Sequence, residues 1–207
     1  MKQGKFITIE GSEGAGKTTQ INNIKDFLDK QDIEVITTRE PGGTLISEKI
    51  REILLDNNNT ELCTDAEMLL VFAARSQHLH ELILPAIEQG KWVISDRFTD
   101  SSFAYQGYAR GLSLERIKVL KQWVQGDYNP DLTLLFDLPV EVGMARAKKR
   151  GPSDRFEQEK LDFFERVRQG FLSMSYLESD RYEVIDAQQT ELQVSEQVLK
   201  IIKRFLK

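Results

Sequence analysis

Apolar positions along the chain alternate between two rhythms. Short β-branched or apolar runs at Phe6-Ile7-Thr8-Ile9-Glu10, Ile33-Glu34-Val35-Ile36-Thr37-Thr38, Trp92-Val93-Ile94-Ser95, Leu132-Thr133-Leu134-Leu135-Phe136 and Tyr182-Glu183-Val184-Ile185-Asp186 predict five strands. Between them the period lengthens to that of a helix. Ile21, Ile24, Phe27 and Leu28 mark one face of a helix reaching about Lys30. A second helix, from about Leu45 to Leu55, turns Ile46, Ile50, Ile53 and Leu54 inward and stops at Asn57-Asn58-Asn59. Thr64-x-x-Glu67 has the form of a capping box ahead of the longest helical stretch, which Pro85 breaks or bends and Gly90 ends. Helical periods return from Leu114 to Val124, Val140 to Lys149, Leu161 to Leu177 and Leu192 to Leu206. Strands and helices alternating at this spacing predict one α/β domain over 1–207, a parallel sheet covered on both faces through right-handed crossovers. The ligand crevice of such a sheet lies at the carboxyl ends of its strands.

Candidate chemistry sits at those ends. Gly11-Ser12-Glu13-Gly14-Ala15-Gly16-Lys17-Thr18 follows the first strand, opens the first helix and matches G-x-x-x-x-G-K-T in full. Its glycines let the backbone approach a ligand closely, so that successive N–H groups converge on phosphate oxygens with the positive end of the helix behind them. Lys17 is then the cation for the β/γ-phosphates and Thr18 a hydroxyl ligand for Mg²⁺. The second strand ends in Arg39-Glu40-Pro41-Gly42-Gly43, a loop of fixed shape where an arginine faces anions. The third delivers Asp96-Arg97-Phe98, a carboxylate placed for Mg²⁺ or its waters and an arginine for phosphate. Phe72 and Arg75 are three apart on the long helix and share a face, the ring and planar donor that a flat heterocyclic base needs. Lys148-Lys149-Arg150-Gly151-Pro152-Ser153-Asp154-Arg155 reads either as a mobile basic loop or as a solvated helix end.

Composition narrows the class. The net charge of −5 argues against a nucleic-acid coat and leaves small anions as the better partner. No window reaches the ~20 apolar residues of a membrane span, and the polar start lacks a signal-peptide core, so a soluble cytoplasmic protein without membrane contact is expected. The single cysteine, Cys63, excludes an internal disulfide framework or multi-cysteine zinc site and reads as an ordinary thiol. His78 and His80, two apart in a polar helical stretch, read as solvated residues rather than metal ligands.

Taken together, Gly11 to Thr18, Arg39 to Gly43, Phe72-Ala73-Ala74-Arg75, Asp96-Arg97-Phe98 with Ala104-Tyr105-Gln106-Gly107, and Arg150 to Arg155 resemble the thymidylate kinases of bacteria along nearly the whole chain. The resemblance implies a P-loop NTPase fold, five parallel strands flanked by helices with a small basic lid at about 148–157, usually in homodimers. It implies transfer of the γ-phosphoryl group of MgATP to dTMP, giving dTDP and ADP. ATP would rest on Gly11, Ser12, Glu13, Gly14, Ala15, Gly16, Lys17, Thr18 and Thr19, with Mg²⁺ held by Thr18 and Asp96, directly or through water. For dTMP it implies Glu10 on the 3′-hydroxyl, Arg39 and Arg97 on the phosphate, Phe72 stacked on thymine, and Arg75, Ser102 and Gln106 along the base edge. Tyr105 would crowd the 2′ position, and Pro41 and Arg51 would border the same pocket. Phe98 departs from the tyrosine or histidine common at that place. The phosphate loop has Glu13 where an arginine could sit, so the catalytic cations beside Lys17 and Arg97 are expected from the lid, at Arg150 and Arg155. A deoxynucleoside or other small-molecule kinase shares the loop, the Asp-Arg pair and a basic lid. A nucleotide-dependent switch or partner-binding module shares the loop alone, and no Asn-Lys-x-Asp base-reading motif is present.

Overall fold

The computed structural model describes residues 4–149 and 154–206. Its centre is a five-stranded parallel sheet: β1 (Phe6–Gly11), β2 (Val35–Arg39), β3 (Trp92–Asp96), β4 (Leu132–Asp137) and β5 (Tyr182–Asp186), in the order β2-β3-β1-β4-β5. Burial on both faces explains why the central strands read as near-continuous apolar runs, and the polar Thr8 and Thr133 survive there by bonding each other at 2.9 Å. Register sets the site. Arg39 lies beside Asp96, Asp96 beside Ile9, and Gly11 beside Phe136, so the ends of three strands deliver their polar residues to one crevice.

Around the sheet stand α1 (Lys17–Asp29), α2 (Leu45–Leu55), α3 (Thr64–His78), α4 (Leu84–Glu88), α5 (Thr99–Ser102), α6 (Leu114–Gln125), α7 (Val140–Ala147), α8 (Leu161–Leu177) and α9 (Glu191–Phe205). One face is packed by α1 and α9, whose Ile21, Ile24, Val198 and Ile202 meet Ile7, Ile9, Leu134 and Ile185 from the strands. α8 covers part of the other face, where Phe163, Phe164, Val167 and Phe171 gather with Leu135 and Tyr105. Pro85 bends the long helix as expected, and the device is a wide π turn at Leu79–Ile83 between α3 and α4. Proline lacks the N–H that a regular helix would need there and crowds the carbonyl four residues back; the widened turn removes that conflict. A second π turn, Phe103–Ala109, continues α5, and Gly170 lets α8 close on it: a Cβ there would lie 2.8 Å from the Tyr108 ring.

Three local expectations fail. The capping box at Thr64 does not form; the helix begins without a side-chain cap, and Glu67 is buried instead, whereas a capping box does close at Thr190 and Gln193. His78 is fully buried, its ring between Glu40 (3.0 Å) and Thr38 (2.7 Å), so it is no solvated residue; His80 is exposed. Of the apolar residues expected to face inward from α2, only Leu54 is fully inside, while Ile46 is 52% and Ile53 46% exposed.

Candidate active site

The loop after β1 is shaped by its glycines. Gly14 has φ +70°, and a Cβ there would stand 2.1 Å from the Gly143 carbonyl oxygen, so α7 can close on the loop only because both residues lack side chains. Lys17 opens α1, folds back and donates to the carbonyl oxygens of Gly11 (3.1 Å) and Ser12 (2.9 Å). Burial first, and then the neighbouring Arg97, push its ammonium below the ordinary lysine pKa. An ammonium resting on carbonyls in a half-dry site exchanges readily onto phosphate oxygens.

Opposite this loop runs a cleft of about 650 Å³, lined by Glu13 to Thr19 and by Arg39, Pro41, Arg51, Arg75, Asp96, Arg97, Ser102, Tyr105 and Gln106 among others. That volume falls in the range of small-molecule sites. Arg39, Arg51 and Arg97 contribute the cations of one wall. Arg39 is held by Glu48 (2.9 Å) and Arg51 by the Pro41 carbonyl (2.7 Å). Burial and then repulsion from Arg39 lower the Arg51 pKa, as befits cations gathered for an anion. Arg97 adopts φ 71°, a left-handed conformation uncommon outside glycine, pinned by its N–H on Ile9 O (2.9 Å) and its carbonyl under Ser95 Oγ (2.7 Å). Its guanidinium pairs with Glu13, donates to Ser101 Oγ (3.2 Å) and lies 4.9 Å from the centre of the Tyr105 ring.

Arg75 enters from α3, 1% exposed. Its Nε donates to Glu40 (2.7 Å), one Nη donates to Phe98 O (3.1 Å), and Nη1 is buried without a partner. Ser102 Oγ and Asp96 Oδ1 are likewise buried and unpartnered. Unsatisfied buried donors and acceptors are costly, and three of them around one cleft mark places where a ligand completes the bonding. For Asp96, which lines the cleft together with Thr18, the fitting partner is a hard divalent cation with oxygen ligands.

Not every expected residue arrives. Glu10 is completely buried and does not line the cleft; its oxygens accept from Phe98 N–H (2.8 Å) and Ser101 Oγ–H (2.6 Å), and burial with repulsion from Asp100 raises its pKa to about 8. Of the two acids bordering the phosphate loop, Glu13 is the one that lines the cleft. Phe72, 1% exposed, packs with Met68 and Ile117 behind Arg75, whose guanidinium carbon lies 4.7 Å from its ring centre; it supports the arginine rather than lining the cleft. Arg155 is tied to the Leu54 carbonyl (2.8 Å) and to Glu67 (2.7 Å) and does not line the cleft, while Arg150 falls outside the described residues. Arg146 of α7 does line it, beside the loop glycines. Its signal was available in sequence: it stands four positions before Arg150, in the same basic run, and on the helix whose mid-point Gly143 announces close packing.

A family model for thymidylate kinase matches residues 9–198. The chain belongs to the thymidylate kinase family. It is 51% identical over 203 residues to the thymidylate kinase of Vesicomyosocius okutanii, covering 98% of this chain and 99% of the relative. With that of Ectopseudomonas mendocina it shares 53% over 203 residues, covering 98% and 97%. The crystal structure of thymidylate kinase from Ehrlichia chaffeensis superposes with a TM-score of 0.79 at 33% identity, over 97% of this chain and 99% of the other. The resemblance drawn from the five motifs and the parallel five-stranded fold both stand, and the thymidylate kinase family is one of nucleoside monophosphate kinases with ATP as phosphoryl donor. Among the described residues no helix is long and apolar enough to cross a membrane.

Proposed function

We propose that the cleft holds the two nucleotides end to end, the donor on the loop after β1 and the acceptor between Arg97 and Arg75. The chain phosphorylates dTMP to dTDP with ATP, as its family does. The observation that carries the two-sided reading is the pair of unpartnered buried groups, Arg75 Nη1 and Ser102 Oγ, in a cleft that the phosphate loop also lines, with Arg39, Arg51 and Arg97 as further cations in its lining.

Phosphoryl transfer runs through a loose transition state with charge spread over oxygens, so positioning and charge neutralisation do most of the work. Lys17 leaves the Gly11 and Ser12 carbonyls for the β- and γ-phosphate oxygens, and loop N–H groups take the others. Arg97, fixed by Glu13 and Ser101, stands between donor and acceptor phosphates and binds both; Arg39 and Arg51 complete the acceptor phosphate site. Thr18 and Asp96 would hold Mg²⁺, directly or through water, and the ion would supply further charge neutralisation at the phosphates. Arg75, Ser102 and Gln106 read the base edge, and Tyr105, packed against Phe163 and Phe171 as well as under Arg97, is a wall against the 2′-hydroxyl of a ribose. The lid arginines Arg150 and Arg155 supply charge on closure. Arg155 does so by exchanging Glu67 for phosphate, with Arg146 already beside the loop. Exposed apolar residues on three neighbouring helices, Ile46 and Ile53 of α2, Leu69 of α3, and Val119 and Trp123 of α6, support a homodimer, for which the cytoplasm is the proposed compartment.

A coupled assay with MgATP against dTMP, dUMP, dCMP and thymidine tests the assignment: turnover is highest with dTMP and negligible with thymidine, and a preference for thymidine would make the chain a nucleoside kinase. Alanine at Arg146, Arg150 and Arg155 in turn, with dTMP affinity by calorimetry, identifies the lid cation. The expected result is a large fall in turnover at Arg150 and Arg155 with affinity little changed, and retention of turnover by both would leave Arg97 and Arg146 to carry the charge. Sedimentation of the wild type and a Trp123→Glu variant tests the dimer face.

A further inference from the structure

Glu67 is 1% exposed on the first turns of α3 and collects donors from three residues in two segments far away in sequence. Oε1 accepts from Gln106 Nε2 (2.9 Å) and Arg110 Nε (3.1 Å); Oε2 accepts from an Arg110 Nη (3.2 Å) and an Arg155 Nη (2.7 Å). Arg110 is in turn held by Glu159 (2.6 Å) and lies over the Phe163 ring at 5.0 Å, so the carboxylate keeps one bidentate guanidinium that does not depend on the nucleotide, whether or not Arg155 stays on it. Gln106 lines the cleft and Glu67 does not. A carboxylate bonded through both oxygens to the Arg110 guanidinium offers acceptors only, so of the two ends of the Gln106 amide it takes the NH₂. The orientation of that amide is thereby dictated by its neighbour rather than left free to flip.

We propose that Glu67 is a positioning residue for base selection, which by holding the Gln106 NH₂ group leaves its carbonyl oxygen as the atom offered to the base edge. Thymine presents a carbonyl acceptor beside an N3–H donor; cytosine presents an amino donor beside an N3 acceptor. Arg75 Nη1, a buried donor with no partner, and an acceptor at Gln106 match thymine and oppose cytosine at both positions. An amide free to flip would turn its NH₂ toward the base and meet cytosine N3 equally well. A site built to hydrogen-bond one pattern rejects the other strongly, so the lock on the amide separates the two pyrimidines. The inference rests on the base-edge reading of Arg75, Ser102 and Gln106.

The test compares kcat/KM for dTMP and dCMP in the wild type, Glu67→Gln, Glu67→Asp and Gln106→Leu. Glu67→Gln can donate to the Gln106 oxygen and so reverses the amide. Glu67→Asp keeps a charge for Arg110 and Arg155 but withdraws by one methylene, and serves where the first variant does not fold. The expected result is a dTMP-to-dCMP ratio lowered by about tenfold or more in both Glu67 variants and in Gln106→Leu. A carboxylate that merely braced the fold would lower the melting temperature and both kcat/KM values together, with the ratio unmoved. A ratio altered in Gln106→Leu alone overturns the role of Glu67; a ratio unaltered in every variant overturns the base-edge reading itself.

Discussion

The two sides of the cleft are built by opposite means. The donor side is one continuous stretch, Gly11 to Thr19, whose ligand groups are largely backbone N–H and whose shape follows from glycines and a helix start. On the acceptor side, Arg39, Arg75, Arg97, Ser102 and Gln106 arrive from three different parts of the chain, and four of them are aimed by acids: Arg39 by Glu48, Arg75 by Glu40, Arg97 by Glu13 and Gln106 by Glu67. A backbone cradle is insensitive to most side-chain changes and fails only at its glycines and its lysine. A side-chain cradle is adjustable residue by residue, and specificity for the acceptor resides there.

The sharpest break in this contrast comes from the donor side. Lys17→Ala leaves the fold intact and lowers turnover by at least ~10²-fold, because a cation meeting charge that grows in the transition state is lost; stopped-flow or steady-state turnover at saturating MgATP measures it, and unchanged turnover removes Lys17 from the mechanism. On the acceptor side the largest single effect follows Arg75→Ala. The KM for dTMP rises about ten- to a hundredfold, the equivalent of the ~1–3 kcal/mol lost when base acceptors are left unpaired, while the KM for ATP moves little. The same variant strands Glu40 beside His78 alone in the interior, so its stability to urea drops by up to ~3–5 kcal/mol, the usual cost of breaking a buried pair on one side. Equal changes in both Michaelis constants would make Arg75 purely structural.

How far each side was legible follows from the same contrast. All five strands and the phosphate loop are local patterns, and the structure reproduces them within a residue or two. Arg39, Arg75, Arg97, Ser102 and Gln106, expected on the acceptor side, do line the cleft, but their partners were not legible, because an ion pair such as Arg75 with Glu40 joins positions 35 apart that no local period connects. Thr64 and Glu67 have the spacing of a cap, yet the pull of Arg110 and Arg155 decided where Glu67 went. His78 looked solvated beside Gln77 and His80; a stripe of Glu67, Val71, Arg75 and His78, buried along one helix face, was in the sequence but carries too much polarity to be read as a core. Glu10 and Glu13 are both acids bordering the same loop, and only the strand's burial on both faces separates the interior one from the one in the cleft.

The smallest expected effect concerns that interior acid. With its folded pKa near 8 against an ordinary 4.5, Glu10 binds its proton more tightly in the native state than in the unfolded one. Its contribution to stability is therefore complete below about pH 4.5 and is lost as pH rises through 8. Urea denaturation of the wild type should show declining stability over that window, and Glu10→Gln, neutral throughout, should show a shallower decline; parallel profiles would mean that Glu10 is ionised in both states.

Cys63 is exposed, is the chain's single cysteine, and sits at the N-terminal end of the helix that carries Glu67 and Arg75. A maleimide dye placed there labels one position without any engineering. Its emission then reports on the base-reading side of the cleft while the phosphate loop, across the sheet end, goes unlabelled, so the order in which the two nucleotides bind becomes observable in a mixing experiment on the natural sequence.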